Sequence, residues 1–411
     1  MKIQEIAFGY VNIPLVTPFR TALRTVDSVK DLIVRITAED GSTGYGEAPP
    51  TAVITGDTKE SIEAAICQYI APAIIGMDLD EIDEIMKRME KSIAKNTSAK
   101  AAVDIALYDL YAKQLGQPLY RVLGTSYSPK NECSRENIGK AMGENCGAGI
   151  SEAQDECVGA VDSCEAEANF LRTELETDIT ISVDETEKMV RDSLRAVEDG
   201  FHILKVKVGK GGAKDVERVR EIRRAVGPDM VLRIDANQGW TRDEAITTIC
   251  AMEDAGLNIE LVEQPVSYHN FRGLKAVTNA VDTPILADES VFSYEDAERI
   301  IEEHAADFLN IKLMKTGGLH QALRICDLAD RYQVKCMIGC MLESKVSVSA
   351  GAHLAAARSC ITMADLDGPS LCAEDPYEGG PVYSGAKIVR REESRIGIRR
   401  VPVNFQVMAK L

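Results

Sequence analysis

Residues 203–235 read ILKVKVGKGGAKDVERVREIRRAVGPDMVLRID, and this stretch decides the fold. Two short apolar, β-branched runs flank a stretch with helical periodicity at residues 213–225. The same alternation of strand and helix continues along the chain from about residue 176. The strand candidates are residues 179–183, 203–208, 230–234, 259–262, 284–287, 308–311, 335–338 and 361–364. Eight such units in fewer than ~250 residues predict the α/β class and a (β/α)8 TIM-type barrel.

The chain before the barrel follows a different pattern, in which strands come first and helices follow. The strand candidates are residues 3–8 and 32–38, and the helix candidates are residues 58–74, 80–93 and 98–115. This order is typical of a small α+β domain. We therefore assign residues 1–125 to an α+β capping domain, residues 176–374 to the barrel, and residues 375–411 to a tail that returns to the capping domain.

One segment, residues 131–169, fits neither domain. It is acidic, rich in Gly and Ala, and carries Cys133, Cys146, Cys157 and Cys164. We interpret it as an insertion at the domain boundary that forms a surface excursion. A metal cluster or a disulfide pair is the alternative, although the cysteine spacings match no compact ligand motif.

Composition excludes several classes of protein. A chain of 411 residues with 45% hydrophobic and 27% charged residues is typical of a soluble globular protein with two domains. No apolar run approaches the ~18–20 residues of a membrane span, and residues 2–5 lack the apolar core of a signal peptide. The formal net charge of −18 argues against a nucleic-acid partner. The 11 cysteines include no CxxC pair, so we expect a cytoplasmic protein with reduced thiols, either a monomer or a homo-oligomer.

Charged residues stand at the carboxyl end of strand after strand, where barrels of this type build their active sites. Three carboxylates from successive strands, Asp235, Glu263 and Asp288, form an all-oxygen set suited to a hard cation. Neither HxH nor HExxH occurs, which argues against zinc. The sequence therefore predicts Mg²⁺ as the cofactor, with three separate salt bridges as the alternative.

Two lysines on one strand face the interior of the predicted barrel, because Lys205 and Lys207 are two residues apart. Their ammonium groups repel, and we expect the repulsion to lower the pKa of at least one of them, as a general base near neutral pH requires. Lys312, four strands further in a ring of eight, lies opposite. A base on each side of a substrate can remove a proton from one face and return it to the other.

The metal accounts for proton removal by such weak bases. A proton next to a carboxylate is very weakly acidic, and its loss places negative charge on two oxygens. Mg²⁺ and a cationic lysine at those oxygens would stabilise the charge as it develops. Asn237 and Asn310 stand at two of the same strand ends, and we expect both to contact the substrate.

These residues together resemble the catalytic set of the muconate lactonising subgroup of the enolase superfamily. Residues 101–110 (AAVDIALYDL) also resemble the helix characteristic of its capping domain. The resemblance covers nearly the whole chain apart from the insertion. It implies an isomerase in which Lys207 and Lys312 are the acid/base pair and Lys205 supports charge on the substrate. The mandelate racemase subgroup is disfavoured, because no His stands at the matching strand end.

Asp365 and Asp367, at the eighth strand, select among the reactions of that subgroup. The resemblance implies that dipeptide epimerases bind the substrate's α-ammonium group with such an Asp-x-Asp pair, and two inward carboxylates suit a compact cation. Arg24, on a loop at residues 17–24 expected to close over the barrel, is similar to the arginine that meets the glutamate side chain in alanyl-glutamate epimerases. Arg20 is a competitor for that role. We expect a small dipeptide substrate, L-Ala-L-Glu being the best single guess, epimerised at its C-terminal residue.

Several alternatives stay open at this point. Asp367 precedes Gly368-Pro369 and is also suited to a turn. Within the subgroup, an N-acylamino acid racemase or an o-succinylbenzoate synthase uses the same lysines and metal ligands. Outside it, a Schiff-base aldolase places a lysine on the sixth barrel strand and needs no metal. A binding protein without turnover would gain nothing from opposed lysines.

Overall fold

The structure is a computed structural model that describes residues 1–124, 172–209, 211–390 and 392–411. The predicted insertion at residues 131–169, with its four cysteines, lies outside the described residues, and its structure stays a prediction. Within the described ranges, no helix has both the length and the apolar character that a transmembrane span requires.

The capping domain begins with strands and continues with helices, as the sequence predicts. Its strands are β1 (Ile3–Tyr10), β2 (Ile13–Arg20), β3 (Thr25–Val29), β4 (Leu32–Ala38) and β5 (Thr43–Ala48). Its helices are α1 (Lys59–Ala65), α2 (Ala71–Ile74), α3 (Ile82–Ser92), α4 (Thr97–Gln114) and α5 (Leu119–Gly124), with a π turn at Ile66–Ile70 and a 3₁₀ turn at Leu79–Glu81. Strands β1, β4 and β5 form an antiparallel sheet.

The prediction of a loop at residues 17–24 is wrong for residues 17–20. Its first half belongs to β2, which pairs with β3 through Phe19 and Val26 and through Arg20 and Thr25. Pairing satisfies backbone groups that a loop would leave to water. Only residues 21–24 form the turn, closed by the bond from Thr21 N to Arg24 O at 3.0 Å.

The barrel follows a short strand, β6 (Glu174–Glu176), and its eight parallel strands lie side by side in chain order. They are β7 (Ile179–Ile181), β8 (Ile203–Lys207), β9 (Val231–Asp235), β10 (Ile259–Glu263), β11 (Ile285–Ala287), β12 (Phe308–Lys312), β13 (Cys336–Gly339) and β14 (Ile361–Asp365). The first and last strands meet where Asp178 N donates to Ala364 O at 3.2 Å. The (β/α)8 prediction is confirmed.

Helices alternate with these strands and cover the outside of the barrel. They are α6 (Thr186–Glu198), α7 (Gly212–Val226), α8 (Arg242–Asp254), α9 (Phe271–Thr278), α10 (Tyr294–Glu302), α11 (Leu313–Thr316), α12 (Leu319–Tyr332), α13 (Lys345–Ala357) and α14 (Gly368–Leu371). Inside the barrel, Leu261, Leu286 and Met337 form a small buried apolar cluster of their own. This cluster is the floor beneath the charged strand ends.

The C-terminal tail reaches the capping sheet with its last strand and with Phe405 just before it, whose ring stacks on Tyr45 at 6.1 Å between centroids. Its strands are β15 (Glu378–Gly379), β16 (Val382–Ser384), β17 (Lys387–Val389), β18 (Ile398–Arg400) and β19 (Gln406–Lys410). The hairpin β16–β17 pairs with β6, and β19 pairs with β1. The capping domain is therefore built from both ends of the chain, as predicted.

Helix α4 packs against β5 at the distance of backbone contact. A Cβ atom on Gly46 would lie 1.8 Å from the Ala102 carbonyl oxygen, and one on Gly44 would lie 2.1 Å from that of Ala106. Both obstacles are backbone atoms of a buried, alanine-rich helix, so neither can move aside cheaply. The two glycines allow the helix to approach the sheet.

We expect Gly46→Ala to lower the free energy of unfolding by about 3 kcal/mol or more, because the added methyl group must separate helix and sheet. Gly41→Ala is the matched control. Its site is open, and its cost of about 1 kcal/mol arises only from the positive φ of +83°. Urea denaturation followed by circular dichroism measures both; equal losses would contradict the proposed packing.

Candidate active site

The register of the barrel strands aligns the charged residues in one row at the carboxyl ends. Lys207 is paired in register with Asp235, and Asp235 with Glu263. On the far side, Gly339 lies between Lys312 and Asp365. Parallel strands bring their carboxyl ends to one edge, so residues far apart in sequence converge there. The sequence prediction that these strand ends meet is confirmed in geometry.

Lys205 lies at the centre of this row and contacts three buried carboxylates. Its Nζ lies 2.6 Å from Asp365 Oδ2, 2.6 Å from Glu263 Oε2 and 3.2 Å from Asp235 Oδ2. Burial lowers the pKa of Lys205, but the carboxylates outweigh burial and raise that pKa well above its ordinary value. Lys205 is therefore not the lysine whose pKa repulsion lowers, because its acidic neighbours outnumber its basic ones, and the expectation for at least one of the two lysines stays a prediction.

The two predicted acid/base residues have matching partners. Lys207 Nζ lies 2.6 Å from Asp235 Oδ2, and Lys312 Nζ lies 2.7 Å from Asp288 Oδ2. Burial lowers the pKa of Lys312, while Asp288 raises it, and the net effect is a pKa above the ordinary value. Asp288 responds in the opposite direction: burial raises its pKa, but Lys312 and other ammonium groups bring it well below the usual range.

The three predicted metal ligands are fully buried and close to one another, and ammonium groups bridge them. Lys312, for example, reaches Glu263 at 3.9 Å as well as Asp288 at 2.7 Å. As they stand, no three carboxylate, thiol or imidazole groups in the described part of the chain have the geometry of a metal site. Burial and the repulsion of Asp235 and Asp288 raise the pKa of Glu263 to about 7. An all-oxygen, mutually repelling set of this kind fits a hard divalent cation such as Mg²⁺.

Two residues behind these carboxylates fix their orientation. Lys315, which the sequence analysis missed, donates to Asp288 Oδ1 at 2.5 Å and to the Asn310 carbonyl at 2.9 Å. The Asn310 amide donates to Glu263 Oε1 at 2.8 Å. Asn310 is not among the residues that line the cavity and positions a carboxylate, and its contact with the substrate stays a prediction. The signal for Lys315 was its spacing of three from Lys312, which returns it to the same side of the helical turn.

A second missed residue is Glu289, which directly follows Asp288. It is buried, and neither carboxylate oxygen has a hydrogen-bond partner. Burial and the neighbouring carboxylates of Asp288 and Asp235 raise the pKa of Glu289 to about 8. This excess of buried acid close to the site also fits an additional cation there.

A cavity lies above this row. Its volume, with the open solvent at its mouth included, is about 520 Å³. Its barrel wall contains Lys205, Lys207, Lys312, Asn237, Asp365 and Asp367. Asn237, in a left-handed conformation with φ of 42°, also donates its backbone N–H to Asp235 Oδ1 at 2.8 Å. Both opposed lysines therefore line the same cavity.

The capping domain supplies the other wall, including Phe19, Arg24 and Ile54. Arg24 Nη2 donates to the Met341 carbonyl at 3.4 Å, and its side chain lines the cavity as predicted. Arg20 instead pairs with Asp184 at 2.6 Å and is absent from the cavity wall. The geometry therefore favours Arg24 over Arg20 as the residue that meets a substrate.

Asp365 and Asp367 both face the cavity, although each already has a partner. Asp365 contacts Lys205, and Asp367 Oδ2 accepts the Thr180 N–H at 2.7 Å. Burial and the Asp365 charge raise the pKa of Asp367 to about 6. Asp367 also forms the turn that the sequence suggested, since its carbonyl accepts the Ser370 N–H at 2.8 Å, but its side chain makes no capping bond to helix Gly368–Leu371.

Comparisons with known proteins agree with this geometry. The family model described as mandelate racemase / muconate lactonizing enzyme, N-terminal domain, matches residues 4–124. The one described as enolase C-terminal domain-like matches residues 188–398. The chain is thus a capped barrel enzyme of the enolase superfamily, and it belongs to the mandelate racemase / muconate lactonizing enzyme family.

Similarity to individual proteins shows which group within this family the chain resembles. The L-Ala-D/L-Glu epimerase of Clostridium acetobutylicum is 47% identical over 98% of this chain and 99% of that protein. The substrate-liganded L-Ala-D/L-Glu epimerase of Bacillus subtilis aligns with a TM-score of 0.85 and 42% identity, over 97% of this chain and 99% of its own. The Enterococcus faecalis V583 dipeptide epimerase, complexed with Mg and L-Leu-L-Tyr, aligns at 0.83 and 37%, over 97% and 100%. The chain is an isomerase of the dipeptide epimerase group.

We expect Glu263→Gln to weaken Mg²⁺ binding by at least ~10-fold, because it removes one charge from the predicted ligand set. Glu302→Gln, on the exposed surface of α10, changes the net charge equally and should leave binding unaltered. Isothermal titration of the metal-free protein with Mg²⁺ measures both variants without recourse to activity. Equal affinities would contradict the ligand assignment.

Proposed function

We propose that this protein is a Mg²⁺-dependent dipeptide epimerase that moves a proton between the two faces of one α-carbon. The observation that carries the proposal is the pair Lys207 and Lys312, which lie on different sides of one cavity with buried carboxylates between them. Two ammonium groups facing one space serve inversion of a centre, whereas elimination or isomerisation needs only one base.

Asp235, Glu263 and Asp288 would hold the metal. When bound, Mg²⁺ supplies Lewis-acid stabilisation of the negative charge that develops on a substrate carboxylate as its α-proton leaves. Lys205 adds a fixed positive charge in the same place, and its raised pKa keeps it protonated and cationic throughout.

The two lysines handle the proton in either direction. One, in its neutral form, removes the α-proton on its own side, and the other, as an ammonium group, donates a proton to the opposite face. In the reverse reaction the roles exchange. Each lysine has one carboxylate at short distance, 2.6 Å for Lys207 and 2.7 Å for Lys312, so both can be held as charged or neutral groups in defined positions.

The chemistry of the cavity wall supports an unblocked dipeptide. For its α-proton to be acidified, the C-terminal residue must place its carboxylate at the metal ligands and its α-carbon between the lysines. The amino terminus then points toward Asp365 and Asp367, the acidic wall of the cavity. Arg24, on the capping wall, is placed to meet an acidic side chain, and L-Ala-L-Glu stays our best single substrate.

An N-acylamino acid racemase is the second candidate, because it uses the same lysines and metal ligands. The acidic wall favours the dipeptide, since an acylated amine offers no cation to two carboxylates.

We also propose a cytoplasmic location and no nucleic-acid partner. The seven cysteines among the described residues are all free, and the chain carries a formal charge of −18.

We expect Lys312→Ala to reduce epimerisation by about 10²–10⁴-fold while leaving exchange of the α-proton of one stereoisomer. Lys207→Ala should leave exchange of the other stereoisomer, because the remaining lysine faces only one side of the carbon. Lys214→Ala, at an exposed position on α7, is the control and should behave like wild type. Mass spectrometry of each epimer measures the incorporation of deuterium from D₂O and so distinguishes these outcomes. Normal epimerisation by either active-site variant would end the two-base mechanism.

We expect Arg24→Met to penalise Ala-Glu at least ~10-fold more than Ala-Leu in kcat/KM, because it leaves an acidic side chain unpaired in the cavity. Arg20→Met is the matched control, since Arg20 pairs with Asp184 and should affect both dipeptides alike. Equal penalties from Arg24→Met would retain the dipeptide assignment and remove the glutamate preference.

N-acetylation of the dipeptide should nearly abolish turnover, because a broken buried ion pair costs ~3–5 kcal/mol. Ala-Glu and N-acetyl-Ala-Glu are compared in kcat/KM on the wild-type enzyme. Equal turnover of the acetylated substrate would favour the racemase candidate instead.

A further inference from the structure

Three free thiols meet between helix α12 and the last two barrel strands, at the end of the barrel remote from the active site. Cys326 lies on α12, Cys336 begins β13, and Cys360 directly precedes β14. Met337 points into the barrel interior, so its neighbour Cys336 points outward, toward the helix layer. All three cysteines are buried, with Cys326 and Cys336 fully enclosed and Cys360 retaining 7% exposure.

Cys360 is the hub of this cluster. Its Sγ lies 3.7 Å from the backbone oxygen of Cys326, and its own carbonyl accepts the Cys336 N–H at 2.7 Å. Hydrogen bonds with Cys326 and Cys336, together with the charge of the Arg358 guanidinium, outweigh burial and lower the pKa of the Cys360 thiol to about 4.

The other two thiols are kept protonated. Hydrogen bonding to Cys360, together with burial, raises the pKa of Cys326 and of Cys336 well above the ordinary value. Arg358 is fixed by ion pairs to Asp327 and, at 3.6 Å, to Asp330. Cys360 therefore lies beside two thiols and a fixed cation, which is the environment of a reactive cysteine with a resolving partner.

A role of this cluster in the proton transfer is excluded by position. Cys336 and Cys360 stand at the amino ends of β13 and β14, whereas Lys312 and Asp365 stand at carboxyl ends. The cluster is thus separate from the active site.

We propose that Cys360 and Cys326 form a peroxide-sensitive thiol pair that closes reversibly to a disulfide. In the first step, Cys360 Sγ attacks one oxygen of hydrogen peroxide, the O–O bond breaks, and the departing hydroxide takes up a proton as water. In the second, Cys326 Sγ attacks the sulfenic sulfur, the S–O bond breaks, and the hydroxide leaves with the Cys326 proton as a second water. Two thiols and one peroxide give one disulfide and two waters.

Cys326 is the resolving thiol in preference to Cys336 because it belongs to the outer helix layer. Cys336 is held in the ladder between β12 and β14. A bond from Cys360 to Cys326 would connect α12 to the start of β14 across 34 residues. It leaves the carboxyl ends of the strands in place, so epimerase turnover should persist in the oxidised protein.

The full-length protein is treated with hydrogen peroxide, remaining thiols are blocked by alkylation, and peptides are mapped by mass spectrometry with and without dithiothreitol. We expect a linked peptide pair containing Cys326 and Cys360 that dithiothreitol fully separates. Peptide-level mapping distinguishes this pair from all other cysteines. A Cys360 that stays a thiol, or a link from Cys360 to Cys336, would overturn the proposal.

Serine variants test the order of events. In Cys326→Ser, the sulfenic acid has lost its resolving partner, so a dimedone adduct on Cys360 should increase by at least ~10-fold over wild type, and irreversible oxidation should follow. In Cys360→Ser, Cys326 should stay reduced. Cys67→Ser, on the capping domain, is the matched control and should leave the linked peptide unchanged. Equal dimedone labelling of wild type and Cys326→Ser would contradict the role of Cys326 as the resolving thiol. If a variant does not fold, the peptide map of the wild-type protein tests the proposal by itself.

Discussion

The ammonium of Lys205 is the contact on which both the barrel and its active site depend. It touches carboxylates from β9, β10 and β14, at 3.2, 2.6 and 2.6 Å, and so bridges the strands on either side of β7. At that seam the first and last barrel strands do not form a regular ladder. Removing one partner from a buried ion pair costs ~3–5 kcal/mol, and here three carboxylates would lose a cationic neighbour together, with Asp235 keeping Lys207 at 2.6 Å. The same group that stabilises charge on a substrate therefore also closes the barrel, which leaves position 205 little freedom to vary.

The capping domain fixes Arg24 from more than one direction. Arg20 pairs with Asp184, which ties the β2–β3 hairpin to the loop after β7. Glu47, on β5, accepts the Ser344 N–H at 2.8 Å, and this holds the loop that contains Met341, the backbone partner of Arg24. Substrate selection by a cap requires such anchoring, because an arginine on a freely moving turn would lose side-chain entropy on every binding event. The cap is thus a rigid wall at this point of the cavity.

The sequence was sufficient for features that depend on local pattern, and insufficient for those that depend on distant charges. Alternation of apolar runs located all eight barrel strands with small shifts at their ends, and strand-end position alone brought Asp235, Glu263 and Asp288 together. The raised pKa of Lys205 was not foreseen, because its carboxylate partners come from other strands and only Lys207 is close in sequence. The hydrogen bond from Asn310 to Glu263 was missed for a related reason, since the two residues are 47 positions apart. The strand at residues 17–20 was missed because its pairing partner, β3, has too little apolar alternation to be recognised.

The short ion pair that each of the two opposed lysines makes is the strongest argument for a reversible reaction. Lys207 with Asp235 and Lys312 with Asp288 form ion pairs of almost the same length, and each carboxylate also belongs to the predicted metal set. An epimerase interconverts substrates of similar free energy, so each lysine must act as base in one direction and as acid in the other. A one-base reaction imposes no such condition, and for that chemistry the second buried pair would add desolvation cost without benefit. A short ion pair at each of the two lysines is therefore what a two-base proton transfer requires.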